Sequence, residues 1–208
     1  MSFARSISDS DNFVFSVLTE HFLISDTSKR LKKASWLVSN CKTHSQREQY
    51  VQELSKYIEV DIYGGCGNKA CPEDPNQDCH TYLASNYLFY LSFENSLCKD
   101  YVTEKFWSPL SQTIVPVVLG GANYTQIAPP NSFIDALNFA NPKHLAKRLN
   151  YLMSNSTGKK FAIFFFFKVK IDFSFQLTMT TFNGKSILMS RVHLSPILLR
   201  LCVNYAKL

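Results

Sequence analysis

Short apolar runs alternate with helical patterns along the middle of this sequence, and that alternation constrains the fold more than any other feature. Four runs have the length and residue types of buried strands, and they cover residues 34–39, 60–63, 87–93 and 113–119. Helical spacing of apolar residues follows three of them, over 45–58, over 101–111 and from 141 onwards. Strands that alternate with helices predict right-handed crossovers, and so an α/β fold with a parallel sheet and helices on both faces.

Local signals place the ends of these elements. Ser45 and Glu48 have the spacing of a capping box at the start of the first helix. Pro142 lies at an early position of the last predicted helix, where a backbone N–H would have no hydrogen-bond acceptor within the helix, so that proline breaks no bond. Residues 133–134 predict a further short strand. Since parallel sheets bind ligands where their strands end, close to helix N-termini, we expect a binding site on the loops that follow the strands.

Composition and charge exclude several classes of protein. Hydrophobic residues make up 46% of the chain and charged residues 18%, which excludes a disordered chain. No apolar run reaches the ~18–20 residues of a membrane-spanning helix, and residue 1 opens no signal peptide, so a soluble chain is expected. The net charge is +6, but residues 159–208 carry eight Lys and Arg against one Asp. Because this excess of positive charge lies in one terminal segment and not on the body of the domain, we predict no nucleic-acid partner. The alternative hypothesis of a nucleic-acid-binding protein depends on the net charge alone.

The terminal segment differs from the rest of the chain. Residues 161–167 read Phe-Ala-Ile-Phe-Phe-Phe-Phe, and a second Phe-containing run ends at 175. One interpretation is a pair of buried strands, and the other, which we favour, is a tail of different origin from the domain before it. The predicted organisation is a lead-in segment over 1–33, a Rossmann-like domain over 34–157 and an atypical basic, Phe-rich tail over 158–208.

Residues 89–107 carry the most specific pattern in the chain. They read Phe-Tyr-Leu-Ser-Phe-Glu-Asn-Ser-Leu-Cys-Lys-Asp-Tyr-Val-Thr-Glu-Lys-Phe-Trp, which resembles the signature of the animal α-1,3-fucosyltransferases, enzymes that use GDP-fucose. Residues 36–50, 60–67 and 115–135 resemble further segments of that family in the same order. The resemblance covers roughly residues 34–155 and stops near Thr157.

The resemblance implies a fold and an activity. The matched residues correspond to the carboxyl-terminal, nucleotide-sugar-binding half of a GT-B-type glycosyltransferase. The implied reaction is inverting transfer of fucose from GDP-fucose, in α-1,3 linkage, to N-acetylglucosamine of glycoprotein glycans. The family's amino-terminal anchor, stem and acceptor-binding domain are not recognised here, so the general base, a carboxylate of that domain, is not assigned. The alternative is a noncatalytic remnant that binds nucleotide sugar. Family members reside in the Golgi lumen, and any membrane attachment is expected only through the missing anchor.

Two cations are expected to hold the diphosphate. Negative charge grows on the leaving phosphate during transfer, and enzymes of this fold generally hold no metal there, so no cofactor is expected and the protein must supply the positive charge. Arg47 and Lys105 each lie in the first turn of a predicted helix that follows a strand. Both therefore face the same edge of the sheet, where they are predicted to converge on one diphosphate.

Four more residues are carried over from the family pattern as donor-binding residues. Glu104 is expected to accept hydrogen bonds from ribose hydroxyls, as an acidic residue does in dinucleotide folds. Asn95 and Tyr101 are expected to line the donor site, and Glu94 to order the loop that carries them. No metal-binding residue is predicted.

Six cysteines suggest either disulfides or zinc. Cys66, Cys71 and Cys79 lie in one loop, but their spacing is poor for a zinc finger. The resemblance implies an oxidising lumen, which favours disulfides among these three and Cys98, although the sequence does not assign the pairing. Two tripeptides, at 123–125 and 155–157, have the pattern of N-glycosylation acceptors.

Overall fold

Within the part of the chain that the structure describes, five parallel strands form a single sheet. The computed structural model describes residues 32–154 apart from 75, 76, 113 and 129–131. In chain order the strands are β1 (Lys32–Leu37), β2 (Val60–Tyr63), β3 (Tyr87–Phe93), β4 (Val115–Leu119) and β5 (Ile134–Asp135). They lie side by side in the order β2-β1-β3-β4-β5, and every pairing is parallel. The predicted α/β class and parallel sheet are confirmed. The sequence-based boundaries at 34 and 157 stay predictions, although β1 takes its first two residues from the predicted lead-in.

Among the same residues, four α-helices connect the strands and a fifth follows the last strand. They are α1 (Arg47–Leu54), α2 (Cys79–Asn86), α3 (Glu104–Ser111), α4 (Tyr124–Ile127) and α5 (Pro142–Ser154), and a 3₁₀ turn follows β5 over Ala136–Asn138. The predicted helices correspond to α1, α3 and α5, whereas α2 and α4 were not predicted. All four regular helices longer than one turn supply residues to the hydrophobic clusters on the sheet.

The predicted capping box at the start of α1 is wrong. Gln46 occupies the N-cap position in the left-handed region, with φ 55°, and no side chain caps the helix. The Ser45 hydroxyl instead donates to the Glu94 carbonyl at 2.7 Å, and Glu48 accepts from the Thr43 hydroxyl at 2.8 Å. A long-range contact has therefore replaced the local cap, and α1 begins two residues later than its pattern predicts.

Strand β3 lies at the centre of the core and is buried along its whole length. Phe89, Leu91 and Phe93 belong to the cluster that includes residues of α1 and α5, and Tyr90 belongs to the cluster formed with α2. Burial on both faces explains why its sequence is a continuous apolar run without polar alternation. The position of β3 between β1 and β4 places its carboxyl end in the middle of one edge of the sheet.

A polar cluster around Asp61 lies on β2. The Asp61 carboxylate is 8% exposed, accepts from the Tyr87 hydroxyl and pairs with Lys69 at 2.7 Å and with Lys32 at 3.7 Å. The Tyr63 and Tyr87 hydroxyls lie 2.8 Å apart. Desolvation raises the pKa of Asp61, but the bonds from Lys69 and Tyr87 and the two lysine charges outweigh it, so the pKa is lowered. The cluster stabilises the side of the sheet that α2 covers.

This lowered pKa predicts an acid-dependent loss of stability. Unfolded Asp61 takes up its proton near its ordinary pKa of about 3.9, at higher pH than folded Asp61 does. The contribution of the Asp61 carboxylate to stability is therefore fully present above pH ~3.9, and it is lost as the pH falls through the lower pKa that Asp61 has in the folded protein. Asp61→Asn is expected to lower the free energy of unfolding by about 1–2 kcal/mol at neutral pH and to flatten its decline in acid. Chemical denaturation from neutral to acid pH measures this, with exposed Glu73→Gln as control. An equally steep acid decline in both variants would contradict it.

Candidate functional site

Arg47 lies at the edge of the sheet where β1 and β3 end. It is the first residue of α1, and its side chain is 2% exposed. Nη1 donates to the Phe93 carbonyl at 2.6 Å, Nη2 donates to the Asn40 carbonyl at 2.9 Å, and the guanidinium lies over the Trp36 ring. Burial lowers the pKa of Arg47, while neighbouring Glu48 and Glu94 act in the opposite direction. The guanidinium thus joins the segment after β1 to the last residue of β3.

Glu94 directly follows β3 and is fully buried. Its carboxylate accepts from the Thr103 backbone N–H at 2.8 Å and from the Thr103 hydroxyl at 2.9 and 2.8 Å. Burial raises the pKa of Glu94, although the bonds from Thr103 and the charge of Lys105 act to lower it. This carboxylate therefore joins the two ends of the loop between β3 and α3.

Lys105 lies in the first turn of α3 and is partly accessible, with 21% of its side chain exposed. Its Nζ donates to the Thr103 hydroxyl at 3.0 Å and to Glu104 at 3.0 Å, and lies 3.7 Å from the Glu94 carboxylate. Glu104 is 72% exposed. Desolvation raises the pKa of Glu104, but the bond and charge of Lys105 outweigh it and leave that pKa lowered. Lys105 is thus a cation that borders solvent beside the start of a helix.

Asn95 and Tyr101 complete the predicted set. The backbone carbonyl of Asn95 accepts from the Ser45 N–H at 3.1 Å, and its side-chain oxygen is buried without a hydrogen-bond partner among the described residues. Burial raises the pKa of Tyr101, and the charges of Glu94 and Glu104 raise it further, while Arg47 lowers it. These electrostatic contacts place Tyr101 among the charged groups of the same edge.

The structure brings the six predicted residues together around the carboxyl end of β3. Arg47 bonds the carbonyl of the last β3 residue, and Lys105 pairs with the carboxylate of the next residue, so the two cations lie on the same edge of the sheet. They differ in accessibility, because Arg47 is buried whereas Lys105 borders solvent. The role of these residues in binding a donor stays a prediction.

Sequence reasoning missed Thr103. Its side chain caps α3, and its hydroxyl contacts both Glu94 and Lys105. The predicted helix start at Tyr101 is therefore three residues too early. A Thr-Glu pair before an apolar stretch is a common signal for the start of a helix, and it would have placed the start of α3 correctly.

The loop after β4 packs against the loop that carries Glu94. A Cβ on Gly121 would lie 2.5 Å from backbone atoms of Leu97 and Cys98, and a Cβ on Gly120 would collide with the Tyr124 hydroxyl. Tyr124 is 2% exposed, and its hydroxyl has no hydrogen-bond partner among the described residues. The absence of a side chain at Gly120 and Gly121 therefore permits the close approach of these two loops.

A cleft of about 380 Å³ opens over the segment between β1 and α1. Its lining residues are Cys41, Lys42, Thr43, His44, Gln46, Glu48 and Gln49. The six predicted donor residues are not among them, so this cleft is not assigned to the nucleotide.

Two disulfides have both of their cysteines among the described residues, and both lie at or near this edge. Cys41 pairs with Cys66, and Cys71 pairs with Cys79. The expected disulfides among the loop cysteines are confirmed for Cys71 and Cys79, which pair with each other. The expected bridge from this loop to Cys98 is wrong, because Cys66 pairs with Cys41, and Cys98 is itself not a free thiol. The same pairings remove these cysteines as zinc ligands, and residues 32–154, with the gaps given above, contain no metal-type cluster of three or more His, Cys, Asp or Glu. The first bridge fixes Cys41 next to Asn40, whose carbonyl accepts from Arg47.

The chain matches a known protein family. Residues 27–188 match the family described as glycosyltransferase family 10 (fucosyltransferase) C-term, and this match covers more than half of the chain. The chain belongs to glycosyltransferase family 10. The matched residues run past Thr157, where the resemblance seen by sequence reading stops, and residues 155–188 lie outside the described part of the structure.

Curated relatives of this family 10 chain include fucosyltransferases of two kinds. It is 46% identical over 130 residues to the alpha-(1,3)-fucosyltransferase fut-1 of Caenorhabditis elegans, covering 62% of this chain and 30% of the relative. It is 47% identical over 126 residues to glycoprotein 3-alpha-L-fucosyltransferase A of Drosophila melanogaster, covering 59% and 25%. It is 37% identical over 165 residues to human GDP-fucose protein O-fucosyltransferase 3, covering 76% and 34%. The chain thus spans about a third or less of the length of these relatives.

Solved structures show the same fold. A crystal structure of alpha1,3-fucosyltransferase with GDP-fucose superposes with a TM-score of 0.56 at 22% identity, covering 77% of this chain and 46% of that one. A structure of alpha1,3-fucosyltransferase with GDP gives 0.55 at 19% identity, covering 76% and 48%. At these identities the likeness establishes the fold of this family 10 chain and not the details of its site.

The described residues contain no helix that is both long enough and apolar enough to cross a bilayer. The predicted tail over 158–208 and most of the lead-in lie outside the described residues.

Proposed function

We propose that this chain forms the donor-binding half of an inverting α-1,3-fucosyltransferase that moves fucose from GDP-fucose to N-acetylglucosamine of glycoprotein glycans. The observation that carries the proposal is Lys105, a partly exposed cation in the first turn of α3, beside the buried Glu94 at the end of β3. Family membership and the fold of solved relatives crystallised with GDP-fucose and with GDP support the same donor.

The proposed chemistry needs positive charge at one place. The acceptor hydroxyl attacks the anomeric carbon of fucose, the bond from that carbon to the β-phosphate oxygen breaks, and GDP leaves with the electron pair. The proton of the hydroxyl passes to a carboxylate base, which we propose lies in an acceptor-binding domain. Lys105 and the N–H groups at the start of α3 stabilise the charge that grows on the diphosphate, with no divalent metal assigned to this step.

Glu104 and Glu94 have separate proposed roles. Glu104 is largely exposed, so its carboxylate is able to leave Lys105 for the ribose hydroxyls when the diphosphate arrives. Glu94 is buried and held by Thr103, so it stays in place and fixes the loop that carries Asn95 and Tyr101. Arg47 supports the same edge from the interior, since its guanidinium donates to two backbone carbonyls.

The proposed location is the lumen of the Golgi, with membrane attachment through an amino-terminal anchor of the parent protein. The disulfides favour an oxidising compartment. The chain forms two disulfides within the described residues, and structural disulfides persist in the secretory pathway rather than in the cytosol.

Isothermal titration calorimetry tests the proposal directly. The purified chain is expected to bind GDP-fucose and GDP but not an oligonucleotide of equal charge. An assay of fucose transfer by the parent protein, to a glycan ending in N-acetylglucosamine and to a Ser/Thr peptide, then separates the two kinds of relatives. Binding without transfer is expected of this chain alone, because the proposed base lies in another domain, whereas a parent protein that transfers fucose to neither acceptor supports the noncatalytic alternative. Oligonucleotide binding alone would overturn the donor assignment.

Lys105→Ala is expected to weaken GDP-fucose binding by about 2 kcal/mol, the value of one charge-assisted hydrogen bond. The free energy of unfolding is expected to change little, because the side chain borders solvent and its main partner is exposed Glu104. Calorimetry and thermal melting measure the two effects. Lys99, exposed in the same loop, is the matched control, and Lys99→Ala is expected to bind normally. Equal binding by the Lys105 and Lys99 variants would remove Lys105 from the site.

A further inference from the structure

The tripeptide Asn123-Tyr124-Thr125 follows β4, at the start of α4. It lies near the donor edge, by which we mean the edge of the sheet that carries the six predicted donor-binding residues. The proposed donor-binding role does not use the polar side chains of Asn123 and Thr125. Asn123 and Thr125 are exposed, whereas Tyr124 between them is buried. The Thr125 hydroxyl donates to the Asn123 side-chain oxygen at 2.6 Å. The two polar side chains are therefore paired with each other on the solvent side, while the central aromatic ring anchors them to the core.

The fold leaves the Asn123 carboxamide available. Asn123 occupies the N-cap position of α4, but its side chain makes no capping hydrogen bond. An asparagine in this position commonly caps its helix, so its bond to Thr125 and its exposure are not explained by helix stability. The Asn-x-Thr pattern is the acceptor sequence of N-glycosylation, which requires an exposed loop in a lumenal protein.

We propose that Asn123 is an N-glycosylation site. In the reaction the Asn123 Nδ2 forms a bond with the anomeric carbon of an oligosaccharide carried on a lipid diphosphate. The bond from that carbon to phosphate breaks, the lipid diphosphate leaves with the electron pair, and one Nδ2 proton passes to the surrounding water. The inference depends on the lumenal location proposed above, and its test includes a marker that separates the two.

The glycan would stand beside the donor edge without covering it. Tyr124 turns inward, with its hydroxyl against Gly120, while Asn123 and Thr125 face solvent on the opposite side. A glycan on Asn123 is therefore attached to an exposed side chain, and neither Asn123 nor Thr125 belongs to the six predicted donor-binding residues. Its loss is expected to leave GDP-fucose affinity unchanged.

The test uses the full 208-residue chain behind a secretion signal in eukaryotic cells. Protein is taken only from the protease-protected microsomal lumen, so every molecule measured has crossed the membrane. Release of the glycans with an amidase in isotope-labelled water, followed by peptide mass spectrometry, marks each glycosylated asparagine as labelled aspartate. Label at residue 123 in a majority of molecules is the expected result. Thr125→Val and Asn123→Gln are expected to abolish it, and Thr125→Ser to retain it.

Asn138 is the matched internal control. It is exposed and followed by an aromatic residue, as Asn123 is, but Ala140 stands in the third position. Label is expected at 123 and not at 138. Unlabelled Asn123 in lumenal chains that carry the Cys41–Cys66 disulfide would overturn the inference while leaving the lumenal proposal intact. Label that persists in Thr125→Val would overturn it as well.

Discussion

Arg47→Ala is expected to lower the free energy of unfolding by about 3–6 kcal/mol, the sum of two charge-assisted hydrogen bonds within a buried site. The substitution leaves the carbonyls of Phe93 and Asn40 without their donor and removes the cation that lies over Trp36. GDP-fucose affinity is expected to fall together with stability, because the segment after β1 and the end of β3 lose the side chain that joins them.

Chemical denaturation and calorimetry measure the two quantities side by side. Arg148 is the matched control, since it lies exposed on α5 and its guanidinium also contacts an aromatic ring. Arg148→Ala is expected to change neither quantity. If Arg47→Ala abolished binding and left the unfolding curve unchanged, Arg47 would be a direct ligand of the diphosphate rather than a support for the edge.

Gly121→Ala is expected to cost about 3 kcal/mol of stability and to weaken donor binding at the same time. The new Cβ meets backbone atoms of Leu97 and Cys98 at 2.5 Å, and backbone yields far less readily than the end of a flexible side chain. The loop after β4 must therefore move away from the loop between β3 and α3, which carries Asn95 and Tyr101.

Gly65→Ala is the control for this substitution. A Cβ at Gly65 meets its nearest neighbour, Ser39, at 3.6 Å, an ordinary van der Waals distance. Thermal melting is expected to show a large fall in Tm for Gly121→Ala and little change for Gly65→Ala. Equal melting temperatures would show that the two loops are not in close contact in solution.

The sheet could be predicted because each of its strands is recognisable from the residues of that strand alone. Each strand is a short apolar run, and the run over β3 is uninterrupted because both faces are buried. The six site residues lie at one edge for the same reason, since a residue that follows a parallel strand must lie at its carboxyl end. The start of α1 could not be predicted in this way, because Ser45 prefers the Glu94 carbonyl, a partner 49 residues distant, to its own helix.

The burial of Arg47 and the disulfide pairing were equally inaccessible to sequence reasoning. A pattern places Arg47 in the first turn of a helix, but it does not show that two carbonyls surround its guanidinium. Cys41 follows one strand and Cys66 follows another, and they pair because β1 and β2 are neighbours in the sheet. Such contacts depend on the register of the finished fold.

The order of strands also bears on how the molecule folds. β1 pairs with β3, whereas β2, which lies between them in the chain, is placed at the outer margin. The edge that carries the six predicted residues is therefore assembled from two stretches that are far apart along the polypeptide, so it is absent until this non-local pairing has formed. Because non-local pairing is slow to form, recovery of ligand binding during renaturation should lag behind the return of helical signal.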